Sequence, residues 1–252
     1  MAGKPPRSRP LFGLVGFGRF GRLAGALLAP HGTVVAHDPR SDAAEKPPRG
    51  VRRGTLAEAA GARVVILAVP IRELPGVLEA IAPHLVRPAL VADTCSVKTL
   101  PARWMSTSLP KWVDIAATHP LFGPDSVTEG LEGLKVAFCP LRLRHPRTVR
   151  RFLRGIGLRV IDCLPEEHDR ELARTQAVVH FLGRALDRLQ AGPRDLDTSG
   201  YRKLLEVLQT VRKDSIELFT DMQRFNPYAP DARRELLRAL ESIDDELGRS
   251  PS

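Results

Sequence analysis

Leu11-Phe12-Gly13-Leu14-Val15-Gly16-Phe17-Gly18-Arg19-Phe20-Gly21 is an apolar run that turns directly into a G-x-G-x-x-G. A short buried strand followed by such a loop and then a helix is the context in which this motif binds a dinucleotide. In that reading Gly16 permits the tight turn, Gly18 lets the backbone approach a pyrophosphate, and Gly21 allows close contact between helix and sheet. Phe17, Arg19 and Phe20 complete the loop, and the helix N-terminus holds the phosphates.

The next apolar run, Thr33–His37, ends in Asp38, where an acid bonds the adenosine ribose hydroxyls and disfavours a 2′-phosphate. Asp38 therefore favours NAD. Arg40, two residues on, offers a guanidinium to a 2′-phosphate, so NADP stays open. Ala68-Val69-Pro70, at the end of the run Val64–Val69, is expected beside the cofactor, where the strand order reverses.

Further strands are expected at Leu90–Ala92, Val113–Ala117, Lys135–Phe138 and Leu158–Ile161, separated by stretches that suit helices. Several are continuously apolar, as in strands buried on both faces. Residues 11–163 thus read as an α/β dinucleotide-binding domain, a Rossmann-type doubly wound parallel sheet, with residues 1–10 as a disordered basic tail.

After Cys163 the period becomes helical, so residues 164–252 read as an all-α C-terminal domain. A first helix starts at Pro165-Glu166-Glu167 and runs to about Gln190. Tyr201, Leu204, Leu205, Leu208, Val211, Leu218 and Met222 stripe a second, and Leu236, Leu237, Leu240, Ile243 and Leu247 a third. Three helices leave more apolar stripe than they can cover, so part of it is assigned to a homodimer contact.

Composition excludes several classes. No apolar run reaches the roughly 18 residues that span a bilayer, and the Pro-rich start lacks the apolar stretch of a secretory signal, so the cytoplasm is expected. Cys95, Cys139 and Cys163 show no CxxC and no metal-ligand spacing, so reduced thiols and no metal are expected. The net charge of +9 raises nucleic-acid binding, through Arg142, Arg144, Arg147, Arg150, Arg151 and Arg154. With aromatics at only 5% and none interleaved, a solvated basic face is the better reading.

Two more segments follow strands where ligands of such sheets bind: Asp93-Thr94-Cys95-Ser96-Val97-Lys98 and Thr118-His119-Pro120-Leu121-Phe122-Gly123-Pro124. Together with the glycine motif they resemble the prephenate/arogenate dehydrogenase family, from about Leu11 to Leu247. The plant-type arogenate dehydrogenases are the nearest resemblance, with a similar Glu167-His168-Asp169-Arg170 and a similar Gly200-Tyr201 before a helix.

The resemblance implies oxidative decarboxylation of a cyclohexadienol. Hydride leaves C4 for the nicotinamide, the C4 hydroxyl loses its proton, and the ring carboxylate departs as CO₂ as the ring becomes aromatic. His119 matches the family's base, a role that suits an imidazole. Ser96 matches the serine that orients both this ring and the substrate hydroxyl, and Gly123 lies in the same substrate loop. Gln176 and His180, four residues apart on one helical face, match residues that close over the substrate ring. Lys98 reads as a surface charge or as a partner for Asp93.

Two departures bear on the substrate. The arginine that bacterial-type members use for the side-chain carboxylate aligns with Glu206, as in plant-type members, leaving Arg202, Arg212 and Lys213 as candidate cations. Glu129 falls where arogenate-preferring members carry an acid, and a carboxylate rewards the ammonium that arogenate has and prephenate lacks. Another dehydrogenase of the β-hydroxyacid or imine-reductase type, or a non-catalytic dinucleotide sensor, would share the glycine motif.

Overall fold

β1 (Leu11–Val15) lies between β2 (Thr33–His37) and β4 (Val64–Leu67), parallel to both, so the first strand of the chain is an interior one. Its residues from Phe12 to Val15 are all buried, which is why the run is apolar without alternation. The structure, a computed structural model, describes residues 10–40, 46–127 and 130–248. The basic tail 1–9 and Glu129 lie outside the described residues.

The eight strands run in the order β3-β2-β1-β4-β5-β6-β7-β8. β3 is Val51–Arg53, β5 Leu90–Asp93, β6 Asp114–Pro120, β7 Lys135–Arg142 and β8 Arg159–Asp162. The order reverses between β1 and β4, which opens a crevice at their C-terminal ends. Helices α1 (Arg19–Leu28), α2 (Leu56–Ala60), α3 (Leu74–Ile81), α4 (Thr99–Ser108) and α5 (Pro146–Gly155) connect the strands. α2 carries a full capping box, with Thr55 accepting from the Glu58 amide and Glu58 accepting from the Thr55 amide.

Two features differ from the sequence expectation. The sheet is not wholly parallel: β7 runs antiparallel to β6, and β8 follows β7. A parallel return needs a crossover, usually a helix, and the described residues between β6 and β7 hold only the 3-10 turn Pro124–Ser126, in a connection of 14 residues that is short for a crossover. β3 was not anticipated, because three residues, two of them arginines, give no apolar run; it forms by pairing with β2.

The chain divides into two compact units, the second beginning at Glu166. Its first helical run is α6 (Pro165–Leu172), a π turn at Ala173–Ala177, and α7 (Val178–Arg188). The stripe read as one second helix is two, α8 (Ser199–Lys213) and α9 (Ile216–Phe225), followed by α10 (Ala229–Leu247). The break has a local cause. Asp214 and Ser215 are extended, and the Ser215 hydroxyl caps α9 by accepting from the Leu218 amide. α7 and α8 approach closely at Gly183, where a Cβ would lie 2.7 Å from the Val211 side chain.

In this unit His168 and Asp169 are buried, with Nδ1 and Oδ1 2.8 Å apart. Asn226 Nδ2 donates to the Asp169 carbonyl at 2.8 Å, and the Arg170 guanidinium sits 5.2 Å from the centre of the Tyr228 ring. The Glu167-His168-Asp169-Arg170 segment therefore fastens α6 to the turn between α9 and α10.

Candidate active site

At the mouth of the crevice, Gly16 has φ +93°, a conformation costly for other residues. A Cβ there would lie 2.3 Å from the Ala68 carbonyl oxygen, and one on Gly21 would lie 2.2 Å from the Gly16 oxygen. The glycine turn thus meets Ala68 and Val69 at the end of β4. Gly18 is different, since a Cβ there meets nothing within 4 Å. It precedes α1, whose N-terminus carries no side-chain cap. Open space in front of uncapped amides is what a pyrophosphate needs.

Asp38 accepts from the Phe17 amide at 2.7 Å and from the Arg40 amide at 2.8 Å, so the acid locks the glycine loop to the end of β2. Arg40 turns its guanidinium to Glu73, with two bonds of 2.7 and 2.9 Å. Arg19 pairs with Asp125 at 2.8 Å, and the Phe20 and Phe122 rings lie 6.3 Å apart. The start of α1 is therefore in contact with the loop that carries Phe122 and Gly123.

The ends of β5 and β6 are joined by a buried network. The Asp93 carboxylate pairs with the Lys98 ammonium, both fully buried, and Lys98 Nζ also donates to the Thr118 carbonyl at 2.7 Å. Asp93 further accepts from the amides of Cys95 at 3.0 Å and Thr118 at 3.1 Å. Lys98 is thus not a surface charge. The network fixes the two flanking residues, Ser96 and His119, which are 8% and 4% exposed. The Ser96 Oγ is buried without a hydrogen-bond partner, so the bond to the imidazole implied by the resemblance is not made in this structure. A buried hydroxyl without a partner costs free energy, which a bound ligand or an ordered water relieves.

In the helical unit, Gln176 lies in the π turn and His180 one turn further on, in α7. Gln176 Oε1 and His180 Nδ1 are both buried and unpartnered. His180 Nε2 is 3.6 Å from Asp214 Oδ2. Burial holds the His180 pKa below its ordinary value; Asp214 opposes that shift and Arg184 adds to it. The sequence reading missed Asp214 and Arg184, which reach His180 from a different turn of the chain and from the next helical turn. Only the spacing of Arg184 from His180 was a usable signal. Two candidate cations are engaged elsewhere, Arg202 with Asp197 at 3.0 Å and Arg212 with Asp187 at 2.7 Å.

The basic cluster near α5 is partly consumed in structure. Arg142 donates to the carbonyls of Leu109, Pro110 and Val113, Arg144 pairs with Asp114, and Arg150 with Asp162. The three cysteines are free thiols, as expected, and Cys139 and Cys163 lie side by side, Sγ to Sγ at 3.6 Å. Adjacent strands β7 and β8 in register bring this about. The Cys163 contact and burial push the Cys139 thiol well above its ordinary pKa, so it stays protonated.

Residues 24–162 match the family model for the prephenate dehydrogenase nucleotide-binding domain, and residues 185–251 match the TYRAAT1-like C-terminal domain. The chain belongs to the prephenate dehydrogenase family. It is 31% identical to chloroplastic arogenate dehydrogenase 1 of Arabidopsis thaliana over 95% of its own length and 39% of that protein's. It is 30% identical to arogenate dehydrogenase 2 of the same plant, over 93% of its own length and 69% of the relative's. Among solved structures, the prephenate dehydrogenase of A. aeolicus in complex with hydroxyphenyl propionate and NAD+ is similar in fold, with a TM-score of 0.75 at 18% identity, covering 96% of this chain and 92% of that one. The family thus matches the resemblance carried by the three motifs.

Proposed function

We propose that the chain catalyses the NAD(P)-dependent oxidative decarboxylation of arogenate or prephenate, giving tyrosine or 4-hydroxyphenylpyruvate in tyrosine biosynthesis. The observation that carries the proposal is the pair Ser96 and His119, buried at the ends of β5 and β6 and fixed by the Asp93–Lys98 network, with the serine hydroxyl unsatisfied. In this reading His119 takes the proton of the C4 hydroxyl, and Ser96 orients the ring and the hydroxyl. Gly123 belongs to the substrate loop, and Gln176 and His180 contact the substrate ring. A nicotinamide cofactor held at the glycine loop would supply the hydride acceptor. Gly18 and the uncapped end of α1 would hold its phosphates, Asp38 its ribose, and Ala68-Val69-Pro70 would lie alongside.

NAD is the better fit. Asp38 is a ribose acid, and Arg40 is engaged by Glu73, which adds a second negative charge where a 2′-phosphate would sit. Arogenate is favoured over prephenate by acids able to meet its ammonium: Glu129, outside the described residues, and Asp214, which lies beside His180. The plant relatives are named arogenate dehydrogenases.

We further read the protein as a cytoplasmic homodimer. Among the described residues no helix is long and apolar enough to cross a membrane. Leu237, Leu240, Ile243 and Leu247 stand exposed along α10 and suit a second copy.

Steady-state assays of the purified protein with arogenate and prephenate, each with NAD and NADP, test the reading. Reduction of the cofactor by neither substrate overturns it. In the same assay Glu129→Asn and Asp214→Asn should each lower kcat/KM for arogenate relative to prephenate if the acid meets the ammonium. An unchanged ratio in both removes the arogenate preference.

A further inference from the structure

Among the described residues, six buried side-chain polar atoms have no hydrogen-bond partner, and three of them share one helical run. They are Gln176 Oε1, His180 Nδ1 and Arg184 Nε, at positions i, i+4 and i+8. That spacing keeps all three near one face of the run. An acceptor, an imidazole nitrogen and a guanidinium N–H, all buried and unmatched by protein, form a stripe that a polar ligand can satisfy.

Arg184 is built into its place. It is half-buried, its Nη2 donates to the Asp214 carbonyl at 2.6 Å, and its guanidinium lies 5.6 Å from the centre of the Phe219 ring. It therefore holds the extended residue that ends α8, the same residue whose carboxylate faces His180. A guanidinium fixed on one nitrogen, with its Nε–H unspent, loses little freedom when it meets a carboxylate. Arg202 and Arg212, by contrast, already face acids of their own.

We infer that Arg184 binds the side-chain carboxylate of the substrate, the role for which the resemblance leaves only Glu206 at the usual position. The inference rests on the proposed activity and deepens it. Arg184 and Asp214 then form a pair of opposite charges that reads the carboxylate and ammonium of an α-amino acid, while His180 and Gln176 lie further along the same face toward the ring. Arginine is the suitable cation here because it stays charged when half-buried and offers a directed N–H.

The test compares two ligands that differ only by the carboxylate, L-tyrosine and tyramine, titrated calorimetrically against NAD+-saturated protein. Both carry the phenol and the ammonium, so the difference isolates the carboxylate subsite. Wild type is expected to bind tyrosine about 10- to 100-fold more tightly than tyramine, the range of one charge-assisted hydrogen bond. Arg184→Gln should erase that gap by weakening tyrosine alone, and Arg184→Lys should restore part of it.

NAD+ affinity and the melting curve of each variant report whether the fold survives, and Arg184→Lys serves if Arg184→Gln is unfolded. A gap that persists undiminished in both variants overturns the inference, as does a wild type that binds the two ligands equally. If wild type turns over neither arogenate nor prephenate, the proposed activity fails first and the inference falls with it.

Discussion

Asp93 and Lys98 form an ion pair with both side chains fully withdrawn from solvent, and the pair joins the end of β5 to the end of β6. Each charge is satisfied more than once, Asp93 by two amides and Lys98 by the Thr118 carbonyl, and that redundancy is what makes a buried pair tolerable. Removing one partner strands the other. Lys98→Met is expected to cost about 3–5 kcal/mol in a denaturant melt. The double variant Asp93→Asn/Lys98→Met should cost less than the sum of the two single changes. Strict additivity would show that the pair does not act as a unit.

Gly18 and Gly16 separate cofactor binding from folding. A methyl group at Gly18 meets nothing in the protein but enters the space assigned to the pyrophosphate. Gly18→Ala should keep stability within about 0.5 kcal/mol of wild type, as for an exposed change without contacts. It should also weaken NAD+ binding about tenfold or more, or roughly 1.4 kcal/mol. Gly16→Ala should instead lower stability, because φ +93° and the 2.3 Å approach to Ala68 both oppose a Cβ. Undiminished NAD+ affinity in Gly18→Ala would place the phosphates elsewhere.

The imidazole of His180 titrates below its ordinary value because burial disfavours the cation. It is therefore neutral at neutral pH, and protonation is delayed to more acid solution. Its neighbours act in opposite senses, so Asp214→Asn should lower this pKa further and Arg184→Gln should raise it. Two-dimensional NMR of the ring protons against pH reads both shifts. Shifts in the reverse directions would contradict the arrangement of the three side chains.

The exposed apolar stripe of α10 gives a test of assembly. If Leu240 and Ile243 meet a second copy, Leu240→Glu should shift the protein toward monomer in light scattering at micromolar concentration without loss of helical signal. An unchanged mass would assign the stripe to another role.

Much of the candidate cofactor site is legible in the sequence because its parts are local. The glycine turn, Asp38 and Ala68-Val69-Pro70 each follow a strand that its own apolar run reveals, and β1 and β2 have the expected bounds. What was hidden depends on pairing or on phase. The direction of β7 is set by the missing crossover, β3 exists only through its contact with β2, and Cys139 meets Cys163 only through strand register. The division of α8 from α9 had one usable sign, Asp214-Ser215, but the apolar stripe runs across it undisturbed. Asp214 as a neighbour of His180 is hidden for the same reason, since the turn after α8 brings it there, whereas Arg184 lies one helical turn from His180 within α7.

In the proposed reaction the ends of β5 and β6 hold the reacting centre, with His119 as its base. The most direct measurement is His119→Gln, assayed for turnover and titrated with NAD+. NAD+ affinity should be unchanged and kcat lower by about 100- to 10,000-fold, the usual contribution of a general base. A variant that binds NAD+ normally and turns over at the wild-type rate would contradict this role for His119.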